Sequence, residues 1–132
     1  LVIGSRWVAD GHINGWSSKR VALSKAGNYY VRFCLGTPVK DATAGLRLHR
    51  AAFLAKHEVL SRVATTGFGF QVEMTELERS LGAVIAEVPI TFDERIAGES
   101  KLDSSIFVEE LVMVTKGGLG RLTQAARRAF SK

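Results

Sequence analysis

A disulfide within the chain is excluded at once, because it holds a single cysteine, Cys34. It sits in the apolar run VRFCL, which reads as a small buried hydrophobe rather than a nucleophile and fits a reducing compartment. Proline is nearly as scarce, at positions 38 and 89 alone. No stretch approaches the 18 or so apolar residues of a membrane span, and the opening LVIGSR lacks the basic leader and cleavage site of a signal peptide. His12, His49 and His57 have no metal-ligand spacing, and there is neither an H-E-x-x-H nor a G-x-S-x-G element. The glycines of TGFGF and KGGLG do not continue into the G-K-[ST] of a phosphate loop. Internal repeats and low-complexity segments are missing too.

What is present is the balance of an ordinary globular domain, 46% hydrophobic and 23% charged. At 132 residues, such a chain buries roughly two-thirds of its unfolded surface and needs no cross-link to hold a core. The formal charge is +5 and the pI about 9.7, which favours an anionic partner and leaves nucleic acid, acidic lipid and phosphorylated substrate all open.

Along the chain, LVIG at 1–4 reads as a buried strand with no preceding turn, so we expect the C-terminal part of something longer. Asp10-Gly11 and Asn14-Gly15 mark a loop. A helix is expected over 17–35, with Ala22, Ala26, Tyr29, Tyr30 and Phe33 at helical spacing and Gly36 with Pro38 ending it. GLRLHR reads as a short strand and RAAFLAKH as a short helix. Phe70, Met74, Leu77 and Leu81 form the stripe of an amphipathic helix over 68–81, stopped by Gly82. AVIAEVPITF, 83–92, is a β-branched strand with Pro89 suited to an edge or strand end. Ser104 can cap a last pair of helices parted by Gly117 and Gly118. Strands alternating with helices indicate an α/β sheet, whose ligands gather beyond the carboxyl ends of the strands. Arg6 follows one strand and Arg95 another, so both cations can face one crevice.

Arg20 and Ser24 stand one helical turn apart and point the same way, a guanidinium and a hydroxyl that can cradle a phosphate. By spacing alone, a solvated helix face accounts for Lys19 and Arg20 equally well. Gln71, Glu73 and Glu76 fall off their helix's apolar stripe and can simply meet water, while His12 and Trp16 read as loop packing. Asp41, after a proline turn, reads as a cap rather than a catalyst.

Taken together, IGSRWV, then Trp16, Arg20 and Ser24 as W-x-x-x-R-x-x-x-S, DATAGLR, GFGFQVEM and EVPITFDERIAGESKL resemble the polyprenol (dolichol) phosphate mannose synthases, over residues 1 to about 102. Leu46 stands where that family commonly has Phe. The resemblance implies the C-terminal, acceptor-side half of a GT-A (Rossmann-like) glycosyltransferase domain over 1–102, followed by a basic amphipathic helical tail over 103–132. The implied reaction moves mannose from GDP-mannose onto a polyprenyl phosphate with inversion. By motif position, Arg6, Arg20, Ser24, Arg95 and Lys101 would bind the acceptor phosphate, with Gln71 and Glu73 positioning the sugar. Such a phosphate is already anionic, so no catalytic base is expected in this chain. The family's Mg2+ or Mn2+ would be held by ligands outside it.

In the tail, Ile106, Phe107, Leu111 and Val114 with Arg121, Arg127, Arg128 and Lys132 suit an acidic membrane surface, although Glu109 and Glu110 oppose it and packing on the domain accounts for the same pattern. The implied partners are the lipid, the nucleotide sugar, and a membrane surface or anchor subunit at a cytoplasmic face, without nucleic acid. A related transferase using UDP-glucose or another nucleotide sugar fits the same residues, and a non-catalytic RNA- or polyanion-binding module is the reading from another class.

Overall fold

A computed structural model describes residues 1–94, the side chain of Phe68 aside, together with residues 112, 114 and 115. The chain begins with β1 (Val2–Ser5), whose last three residues are buried. It is the middle strand of a three-stranded sheet, antiparallel to β3 (Arg47–Leu48) and parallel to β4 (Ala86–Pro89). The expected opening strand is therefore present, one residue further on.

The loop after β1 differs from expectation. Between two positive-φ residues, Asp10 (φ 64°) and Gly15 (φ 85°), His12–Asn14 form β2, which pairs in parallel with β5 (Thr91–Asp93). The turn dipeptides bound a short strand rather than an irregular loop. Gly11 is needed for space, since a Cβ there would lie 2.7 Å from the Arg6 carbonyl oxygen. The run expected as one strand over 83–92 is divided at Ile90, whose N–H donates to Ser5 O (3.1 Å) while its carbonyl accepts from His12 N–H (3.0 Å). One extended segment thus serves β1 with its first half and β2 with its second. Pro89, which has no N–H to give, ends the first half.

Helix α1 (Ser18–Leu35) has the expected bounds: the Ser17 hydroxyl accepts from Arg20 N–H (3.3 Å) and Gly36 closes it in the left-handed conformation (φ 56°). Of the five residues at helical spacing, Tyr30 packs against the core. Ala22, Ala26, Tyr29 and Phe33 face outward, the last two 69% and 77% exposed, and Asn28, Val31 and Leu35 are buried. A polar residue can occupy the buried face because Asn28 exchanges hydrogen bonds with Thr43, Nδ2 to Oγ1 at 3.1 Å and Thr43 N–H to Oδ1 at 3.4 Å. Cys34 is half-buried against the core, close to its expected role.

Two short helices follow, α2 (Ala51–Lys56) and α3 (Val59–Arg62), then α4 (Gly67–Ser80). On α4 the buried face is Val72, Met74, Thr75 and Glu78, wider than the predicted stripe, with Phe70 and Leu77 at its margins. Glu78 is buried against His49, Oε1 to Nδ1 at 2.6 Å. Ile3, Val31, Leu35, Val39, Ala42, Ala44, Val72 and Val114 make the core cluster. Val114 thus packs on the domain from within the tail, and Thr115 Oγ1 lies 2.7 Å from Tyr30 OH. Val112 is exposed, while Ile106, Phe107, Leu111 and the tail's cations lie outside the described residues.

Side chains alternate across a strand, so Val2 and Gly4 share a face with their register partners Leu48, Ala86 and Val88. That face is open: Leu48 is 71% exposed, Leu46 64% and Val88 44%. The opposite face, with Ile3, Ser5, Arg47 and Glu87, is covered. Arg47 is its pivot. Its guanidinium donates to the carbonyls of Ala42 (2.5 Å) and Ala44 (2.7 Å) and to Thr75 Oγ1 (2.6 Å). Burial pushes its pKa down to about 10, against the pull of Asp41, Glu78 and Glu87 in the other direction. Replacing Arg47 by Met leaves two carbonyls unsatisfied and is expected to cost about 3 kcal/mol in urea unfolding. Arg47→Lys, with one point charge in place of a fork, is expected to recover less than half of that.

Candidate functional site

Where β1 ends, Arg6 enters a buried carboxylate. Its backbone N–H and Nε both donate to Asp41 Oδ2 (2.9 and 2.8 Å), and Nη2 donates to Oδ1 (2.7 Å) and to Thr43 Oγ1 (3.2 Å). Asp41 is fully buried and the Arg6 side chain is 10% exposed. Asp41 itself is fixed from behind, since its N–H and that of Lys40 donate to the two Glu87 oxygens at 2.9 and 2.8 Å. The expected cap is therefore a counter-ion, joined to its arginine across 35 positions of sequence. Nη1 of Arg6 has no acceptor among the described residues.

Trp16 gathers the other cation. The guanidinium carbon of Arg20 lies 4.1 Å from its ring centroid and that of Arg6 lies 5.3 Å away, both over the ring. Phe92 of β5 meets Trp16 edge-on at 5.5 Å, which ties the ring to the strand that continues into Glu94. Arg20 Nη1 donates to Glu94 Oε1, a pair with both side chains near 40% exposure. Ser24 follows one turn later on the same side of α1 and is half-buried, with its carbonyl accepting from Asn28 Nδ2 (3.0 Å). The structure thus brings Arg6 and Arg20 together over one indole and sets Ser24 in the next turn. Arg95 and Lys101 lie outside the described residues.

Gln71 and Glu73 stand apart from this cluster, on the first turns of α4. The Gln71 carbonyl accepts from Thr75 Oγ1 (2.7 Å). Glu73 clamps the approach to its helix, accepting from Thr65 Oγ1 (2.6 Å), Thr65 N–H (2.9 Å) and Ala64 N–H (3.2 Å). Glu76, taken in sequence as water-facing, pairs with Arg79 at 2.6 Å on the helix surface. The partners that local spacing did not show are Asp41, Thr43, Phe92 and Glu94. Each reaches its arginine or Trp16 from a distant segment; an acidic residue inside DATAGLR was the one available signal.

No group of three or more His, Cys, Asp or Glu side chains that could hold a metal stands together among the described residues, and none of their helices is long and apolar enough to cross a membrane.

Burial alone would raise the Glu73 carboxyl, but the hydrogen bonds from Thr65 and Ala64 outweigh it and hold the group below its ordinary 4.5. A depressed carboxylate pKa gives stability that is present above the unfolded value and lost as pH falls through the folded one. Unfolding followed from pH 6 downward is expected to show stability declining below about 4.5, and Glu73→Gln is expected to flatten that decline.

No family model matches the chain, and no solved structure matches it. Curated proteins do. It is 44% identical over 127 residues to the undecaprenyl-phosphate mannosyltransferase of Micrococcus luteus, covering 96% of this chain and 52% of that protein. It is 42% identical over 126 residues to the polyprenol monophosphomannose synthase of Mycolicibacterium smegmatis, covering 95% of this chain and 47% of the relative. The chain spans about half the length of the curated relatives it matches. Over nearly its whole length the chain is thus similar to polyprenyl-phosphate mannose synthases, matching about half of each relative.

Proposed function

We propose that this chain is the acceptor side of an enzyme that transfers mannose from GDP-mannose to a polyprenyl phosphate. The observation that carries the reading is the pair of guanidinium groups over Trp16, beyond the carboxyl end of β1. Arg6, held rigid by Asp41, offers a fixed donor edge. Arg20 is paired with a half-exposed carboxylate that an incoming phosphate can replace. The phosphate oxygen needs no base, since it is anionic before it meets the anomeric carbon. What the residues must do is hold that anion in line with a second, equally charged diphosphate. Ser24 adds a hydroxyl on the Arg20 side, and Arg95 and Lys101 complete the acceptor set on the segment after Glu94. Gln71 and Glu73 shape the entrance of α4 toward the sugar, Glu73 by fixing residues 64 and 65.

The donor pocket and the ligands for Mg2+ or Mn2+ belong, in this reading, to the part of a longer GT-A protein beyond these residues. A bound divalent ion there would neutralise the leaving diphosphate. Two findings support the division: the relatives are about twice as long, and the sheet leaves Leu46, Leu48 and Val88 uncovered on one side. The lipid acceptor sets the location, peripheral at the cytoplasmic face of a membrane, held there directly or through an anchor subunit.

In a complete enzyme carrying this segment, Arg20→Gln is expected to lower kcat/KM for polyprenyl phosphate roughly a hundredfold, the effect of one charge-assisted contact strengthened in the transition state, with KM for GDP-mannose little changed. Unchanged transfer of labelled mannose would remove the basis of the assignment. The division of the fold is checked separately. Leu48→Ser with Val88→Ser is expected to reduce self-association of this chain alone in sedimentation velocity, and to destabilise the complete enzyme by about 2–4 kcal/mol.

A further inference from the structure

Both tryptophans of the chain keep a buried donor without an acceptor. The Nε1–H groups of Trp7 and Trp16 are shielded from solvent, and neither meets a hydrogen-bond partner among the described residues. An indole nitrogen can only donate, and a buried one usually finds an acceptor because a desolvated, unpaired N–H is destabilising. Other buried polar groups here are satisfied closely, Asn28 by Ser24 O and Thr43, Glu78 by His49, and Thr75 by the Gln71 carbonyl. The two exceptions are the two indoles that Arg6 approaches, Trp16 at 5.3 Å and Trp7 at 5.6 Å. Orphan donors confined to the surroundings of one arginine point to an acceptor that arrives with a ligand.

The two indoles keep different company. Trp7 has Lys25 Nζ at 5.1 Å from its centroid and no second guanidinium over its ring among the described residues. Trp16 has the guanidinium of Arg20 at 4.1 Å as well as that of Arg6, and Phe92 anchors its ring edge-on at 5.5 Å. Arg20, the group nearest this ring, is half-exposed together with Glu94, so the surroundings of the indole can open without disturbing the buried Arg6–Asp41 pair. An oxyanion bridging Arg6 and Arg20 would therefore lie at the ring that carries the unpaired N–H. For a phosphate monoester the oxygens divide simply: one of the three terminal oxygens must stay free to attack, and the other two take the donors. Guanidinium charge attracts such a group from many angles. A neutral N–H in the plane of an anchored ring adds one fixed direction, which an in-line attack requires.

We propose that the Trp16 Nε1–H donates to a terminal oxygen of the acceptor phosphate, so that Trp16 is a binding residue of this site as well as the platform for its arginines. The proposal rests on the transferase reading above, and its test separates the two. In a complete enzyme carrying this segment, with tryptophan labelled at the indole nitrogen, the signals of Trp16 and Trp7 are assigned from Trp16→Phe and Trp7→Phe and followed while farnesyl phosphate is added without nucleotide sugar. The Trp16 N–H proton is expected to move downfield and to exchange more slowly with solvent, while the Trp7 signal stays in place. Trp16→Phe leaves an aromatic ring beneath the guanidinium groups and removes only the donor. It is expected to raise the Kd for farnesyl phosphate about tenfold, the effect of one hydrogen bond to a charged group. The indole signal is read on the unsubstituted protein, so it decides the matter even if Trp16→Phe folds poorly. Arg20→Gln serves as the reference. If it weakens farnesyl phosphate binding while the Trp16 signal stays fixed, or while Trp16→Phe binds like the parent, the proposal is overturned and the acceptor site stands. Equal movement of both indole signals would mean a general rearrangement and also overturns it. Unchanged binding by Arg20→Gln removes the acceptor reading and this proposal together.

Discussion

The site depends on one buried ion pair. Asp41 has no contact with water and would be costly to hold as an anion alone, so three N–H donors of Arg6, the Nε and Nη2 of its fork and its backbone N–H, fix both partners. Thr43 links that pair to Asn28 inside α1, and Glu87 links it to β4. A single carboxylate therefore positions the end of the central strand, the helix and the loop between them. The buried face of α1 includes an amide for the same reason: Asn28 belongs to this network more than to the apolar core.

A consequence follows for how an anion is received. Of the two guanidinium groups over Trp16, one is fixed and one is exchangeable. Arg6 cannot leave Asp41 without stranding a buried charge, whereas Glu94 can release Arg20 into water at little cost because both side chains are half-exposed. In the acceptor role we propose, a phosphate at Trp16 would meet a rigid donor edge on one side and a partner that changes hands on the other.

Much of this was legible in the residues. The opening strand, the bounds of α1 with Ser17 and Gly36, the amphipathic helix α4 and the shared side of Arg20 and Ser24 follow from local chemistry, whereas the grouping of Arg6 with them was implied by the family resemblance. The motif resemblance found the same family as the curated relatives. What local chemistry could not give was direction. The spacing of Ala22, Ala26, Tyr29 and Phe33 identifies a helix face but does not say which face is inward, and the answer came from Asn28 and Thr43, fifteen residues apart. The partners of the arginines were hidden for the same reason, because Asp41 and Glu94 approach from segments 35 and 74 residues distant. Glu73, read from the resemblance as near the sugar, shows in the structure a local duty that its position off the apolar stripe did not reveal.

Ile90 has a wider meaning. Because this one residue passes the extended segment from β1 to β2, residues 86 to 94 act as a ruler whose length is set at both ends. Side chains reverse direction with every step along a strand, so one inserted or deleted residue there would leave the first half in place and turn Phe92 away from Trp16 and Glu94 away from Arg20. Along this stretch, evolution can change side chains far more readily than it can change their number.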